Sequence, residues 1–129
     1  MADEKTDKRA EDYIEKMRKQ RGHLPEQWAY LAHKDLDFVE AYDNLSGKAF
    51  EDGKALPAKY RALVCIGVLA YRGVGDALVS HIKRALKLGA TKQEVIDAIE
   101  TTIIPGGAPT FGAGLAALMK VEEDEKKGK

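Results

Sequence analysis

The chain has 129 residues and a single cysteine, Cys65. One thiol excludes an intramolecular disulfide and a multi-cysteine zinc site. It suits a reducing cytoplasm, where the protein is expected. Net charge of either sign is also missing: 21 basic residues face 21 acidic ones. No overall field therefore draws the chain to nucleic acid or an anionic membrane, and neither is expected as a partner. Long apolar runs are absent. The longest, Ala62 to Ala70, is far short of the roughly 20 residues of a membrane helix. Met1 to Lys8 is charged, without the apolar stretch of a signal peptide. No His, Asp or Glu cluster has metal-ligand spacing, and His23 and His33 carry no pattern. Gly106-Gly107 lacks the lysine of a phosphate loop. The sequence thus calls for no metal and no cofactor.

What is present is helical periodicity. Ala10, Tyr13, Ile14 and Met17 form a thin stripe over Thr6 to about Gln20, with Gly22 suited to cap the helix. Leu24-Pro25-Glu26 opens a second helix that turns Trp28, Leu31 and Ala32 inward. Asp35 can cap a third, with Phe38, Val39, Tyr42 and Leu45 as its apolar positions. Gly47 to Gly53 reads as a loop or frayed end. Leu56-Pro57 starts a helix to about Arg72 whose interior is apolar on every side, which predicts a buried helix. Gly73 to Gly75 breaks the chain, and Asp76 begins a helix to Leu88. Thr91 and Glu94 form a capping box for a helix burying Val95, Ile96, Ala98, Ile99 and Ile103. Pro105 to Pro109 ends it, and a small-residue helix runs from Thr110 to Val121. The expected fold is all-α, a compact bundle of six or seven helices. Residues 1–129 read as one domain with its core over about 24–121, and 122–129 as a disordered tail.

The stretch Leu56 to Leu118 resembles the carboxymuconolactone decarboxylase family. The resemblance lies in Leu56-Pro57-Ala58-Lys59-Tyr60-Arg61 and in Ile66-Gly67-Val68-Leu69-Ala70. It continues through His81, Ala85 and Leu88-Gly89-Ala90-Thr91 with Glu94 and Val95, to the Gly107-Ala108-Pro109 turn. It implies an alkylhydroperoxidase-D-like helical fold that assembles into homotrimers or homohexamers. In that family's redox branch a C-x-x-C-x-x-x-H motif supplies two thiols on one helical face. Counting back from His81 puts Val74 and Ala77 at the cysteine positions and Ala62 at the upstream glutamate position. Neither valine nor alanine forms a thiolate, so a disulfide-relay peroxidase is not expected.

The decarboxylase branch keeps the histidine without the cysteines, and Arg72, Asp76, Leu78 and His81 resemble its pattern. A tyrosine common two residues before the G-x-P glycine is Pro105 here. The resemblance implies a lyase of aromatic compound catabolism that processes a small carboxylated lactone or acid. His81 is the candidate catalytic acid or base. Arg72, Asp76 and Cys65 are candidate substrate-binding residues. Arg72 could grip a carboxylate, Asp76 could equally serve a helix start, and Cys65 could equally be a small core residue. Two alternatives stand beside this: an alkylhydroperoxidase-D-like oxidoreductase, and a non-catalytic binding or assembly protein on the same fold.

Overall fold

The computed structural model describes residues 3–21 and 24–128. Gly22 and His23 lie outside them. The described residues form seven helices and no strand, as the periodicity predicts. The chain divides into two compact units between Lys48 and Ala49.

The first unit holds α1 (Glu4–Arg21), α2 (Glu26–Lys34) and most of α3 (Leu36–Phe50). The α1 stripe is buried as expected: Ala10, Ile14 and Met17 pack with Leu24, Ala32 and Leu36. Tyr13 donates its hydroxyl proton to the Asp43 carboxylate. The Asp35 carboxylate accepts from the Phe38 N–H and so caps α3. On α3 the inward residues are Leu36 and Val39, whereas Phe38, Tyr42 and Leu45 are exposed. Tyr42 instead stacks on Trp28 with ring centroids 4.7 Å apart. His33 also has a place that its sequence context did not show. Its Nδ1 lies 2.8 Å from Asp7 and its Nε2 2.9 Å from Glu11, both on α1.

The second unit is built from α4 (Ala58–Arg72), α5 (Gly75–Lys87), α6 (Lys92–Thr101) and α7 (Ile103–Lys126). Ala62, Ile66 and Ala70 of α4 meet Leu78, Ile82 and Ala85 of α5, Val95 and Ile99 of α6, and Ala117, Leu118 and Val121 of α7. Burying one large aliphatic side chain contributes about 1.5–3 kcal/mol. The Thr91 hydroxyl accepts from Glu94 N–H while the Glu94 carboxylate accepts from Thr91 N–H. The expected capping box is therefore formed, and Lys59 adds an ion pair to Glu94 at 3.0 Å.

Three local expectations give way. First, α4 is not buried on every side: Val64, Val68 and Tyr71 are 61%, 56% and 69% exposed. They lie opposite the inward row of Ala62, Ile66 and Ala70. Second, helix continues beyond Val121 to Lys126. Asp124 is buried there and holds Lys83 at 2.9 Å and Lys120 at 3.3 Å, which offsets the charge of this acidic end. Third, the Pro105 to Pro109 break narrows to a kink at Gly107, with φ 75° and ψ −177°. That backbone conformation is open essentially to glycine alone. Ile103 is accordingly outside the α6 core and exposed.

Candidate functional site

Two helices place the candidate chemistry by the same rule. On α4, Cys65 immediately precedes the fully buried Ile66. On α5, His81 immediately precedes the fully buried Ile82. A residue next to the inward row sits at the edge of the apolar face, so packing α4 on α5 brings the two edges together. Cys65 Sγ lies 3.7 Å from His81 Nδ1, and both side chains are half-buried.

Two further residues complete this corner. The Phe50 ring, at the end of α3, stands 5.3 Å from the His81 ring, tilted by 32°. Arg84, one helical turn beyond His81, lies with Cζ 4.4 Å from the Phe50 ring centroid. Burial pushes the His81 imidazole below its ordinary pKa, and the Arg84 charge lowers it further. Burial pushes the Cys65 thiol up, partly offset by Arg84. Both shifts favour a neutral thiol beside a neutral imidazole over the thiolate–imidazolium couple of a reactive cysteine.

The structure brings together two of the four residues singled out in the sequence, His81 and Cys65. Arg72 is exposed at the last turn of α4, and Asp76 is exposed in the first turn of α5. α5 begins at Gly75, so Asp76 is a first-turn carboxylate at the positive helix end rather than its cap. Ala62 is fully buried in the core, and Ala77 is half-buried at the start of α5. Sequence reasoning missed Arg84 and Phe50. Arg84 had a signal, since a residue three beyond His81 shares its helical face. Phe50 had none, because it lies in a segment that reads as loop. A depression along α1, lined by Glu11, Asp12, Ile14, Glu15, Arg18 and Lys19, gathers residues of one helix and brings no thiol or histidine with it. No three of the His, Cys, Asp or Glu side chains among the described residues converge as metal ligands.

The sequence profile of the Carboxymuconolactone decarboxylase family matches residues 37–120, which hold Phe50, Cys65, His81 and Arg84. The chain belongs to the carboxymuconolactone decarboxylase family. It is a member without the C-x-x-C pair, with Val74 and Ala77 in those places. The uncharacterized protein MJ1511 of Methanocaldococcus jannaschii is 33% identical over 89 residues, spanning 69% of this chain and 82% of that protein. An uncharacterized protein of Cupriavidus necator is 27% identical over 83 residues, 64% of this chain and 73% of its own length. Among solved structures, a candidate carboxymuconolactone decarboxylase from Burkholderia xenovorans LB400 superposes with a TM-score of 0.74 at 28% identity. That likeness covers 92% of this family member and 95% of the other chain. Among the described residues, no helix is long and apolar enough to cross a membrane.

Proposed function

We propose that this protein is a lyase that decarboxylates, or otherwise processes, a small carboxylated lactone or acid derived from an aromatic compound. The observation that carries the reading is the corner itself: half-buried His81 beside the Phe50 ring, with Arg84 lying over that ring. An aromatic wall suits a flat unsaturated substrate, a fixed cation suits its carboxylate, and the imidazole can move a proton.

Loss of CO2 leaves the electron pair of the broken C–C bond on the substrate, spread into the conjugated carbonyl as a dienolate. Arg84 supplies fixed positive charge against that developing anion. The carbon then needs a proton. Burial and the Arg84 charge favour the neutral His81 imidazole in the free site, but a bound substrate anion beside it favours the imidazolium. As the anion binds, the ring gains a second proton from water, and one ring proton passes to the carbon after CO2 departs. Arg72, on the exposed α4 end, is the candidate partner for a second carboxylate reaching the α4–α5 turn, and Asp76 borders it there. Cytoplasmic residence suits the unpaired Cys65.

Self-association belongs to the same proposal. Tyr60, Val64, Val68 and Tyr71 recur along α4 at helical spacing and are exposed together. A contiguous apolar face of this kind supports a homotrimer or homohexamer.

The test is CO2 release by the purified protein from carboxymuconolactone and related carboxylated lactones. Turnover of at least one is expected, and none from any of them would overturn the lyase reading.

A further inference from the structure

The proton step above uses His81 and Arg84 and leaves Cys65 without a part. Yet the thiol is a polar group in contact with the imidazole, 3.7 Å from its Nδ1. Two neutral arrangements fit that contact. In one, the S–H donates to the Nδ1 lone pair and the ring carries its proton on Nε2. In the other, Nδ1 carries the proton and points it at the sulfur.

They differ in strength. An imidazole nitrogen is a good acceptor, whereas a thiol sulfur is a weak one. The first arrangement matches the weak S–H donor to a strong acceptor, while the second spends the ring's N–H on a poor acceptor. A third arrangement, thiolate beside imidazolium, is disfavoured because burial and Arg84 keep the ring neutral while burial keeps the thiol protonated. The hydrogen bond made by one ring nitrogen sets which tautomer the other presents. The two helices also fix where the bond points: Cys65 and His81 flank the buried Ile66 and Ile82.

We infer that Cys65 is a positioning residue, whose S–H donates to His81 Nδ1 and holds the neutral ring of the free site in its Nε2–H form, with Nε2 the nitrogen that meets substrate. The cysteine then acts through the histidine and is neither a nucleophile nor a redox centre. This rests on the reading of His81 as the proton carrier, but it fixes a property of the ring that exists with no substrate bound. Serine can replace the cysteine in this part, because a hydroxyl is also a donor. Valine and alanine cannot.

The experiment is a long-range proton–nitrogen NMR spectrum of 15N-histidine-labelled full-length protein at pH above the His81 titration. His81 is assigned by the signal lost in His81→Gln. Wild type and Cys65→Ser should both show the Nε2–H tautomer. Cys65→Val, and Cys65→Ala should the valine not fold, should show the Nδ1–H form growing in, with the His81 pKa moving up as the donor that favours the neutral ring is lost. An Nδ1–H ring in wild type overturns the inference, as does an unchanged tautomer in the valine or alanine variant. If wild type turns over no lactone, the lyase reading fails while the tautomer result still decides this one.

Discussion

Arg84 lies over the Phe50 ring, and the same ring faces His81, so one aromatic side chain links the fixed cation to the imidazole. Stacking on the ring holds the guanidinium in place and contributes about 0.5–1 kcal/mol at an accessible site. Arg84→Gln removes the charge and keeps much of the bulk. A charge-assisted hydrogen bond to a substrate carboxylate is worth about 1.5–3 kcal/mol. KM for a carboxylated lactone should therefore rise roughly tenfold to hundredfold in the variant. The His81 pKa should rise in the same protein, because the cation that helps depress it is gone. Steady-state kinetics and an NMR titration read the two effects separately.

The same two shifts predict a pH dependence of stability. The folded-state pKa of His81 lies below its ordinary 6.5. Below that pH the unfolded chain takes up a proton that the folded site resists, so stability falls as the solution is acidified. The folded-state pKa of Cys65 lies above its ordinary 9.0. Above that pH the unfolded thiol ionises first, so stability falls again on the alkaline side. Glu94 and Asp124, both held below their ordinary values of 4.5 and 3.8 by hydrogen bonds and lysine partners, lose their contribution only at lower pH still. Thermal unfolding across this range should show His81→Gln flattening the limb just below neutrality and Cys65→Ser flattening the alkaline limb.

Gly114 lets α7 close on α6. A Cβ placed there would stand 2.7 Å from Ile99 Cγ2 and 2.9 Å from Ile99 Cγ1. Gly114→Ala should therefore cost about 1–3 kcal/mol in urea unfolding through overpacking. Ile99→Ala alone should cost about 2–5 kcal/mol by leaving a cavity. Because each change relieves the other, the double variant should cost less than the sum.

The exposed face of α4 predicts assembly. Light scattering at micromolar concentration should give a trimer or hexamer, and a charge at Val64 or Val68, as in Val64→Asp or Val68→Lys, should shift it toward monomer. A wild-type monomer would count against this face as an interface between copies.

How much of this was legible in the sequence follows from how far each signal reaches. The capping box of Thr91 and Glu94, the Asp35 cap and the proline starts of α2 and α4 are local, and the helices stand where those residues put them. Position along a helix placed His81 at the edge of its apolar face. Periodicity could not separate an inner face from an exposed apolar one, so Val64 and Val68 read as core. Nor could it see that Lys83 would reach Asp124 and keep the charged C-terminal turns helical. The candidate site depends on such distant meetings. The Cys65–His81 contact exists only once α4 packs on α5, and Phe50 arrives from a separate helix. What the sequence did carry was the set of missing groups: Val74, Ala77 and Ala62 leave no disulfide chemistry beside the histidine.

The central claim is that His81 carries the proton in a decarboxylation. Its most direct test compares wild type with His81→Ala in CO2 release from carboxymuconolactone and related lactones, both proteins being checked for equal folding by circular dichroism. Loss of a general acid–base group typically costs roughly 10²- to 10⁴-fold in rate, and kcat should fall in that range. Equal turnover by the two proteins would contradict the account.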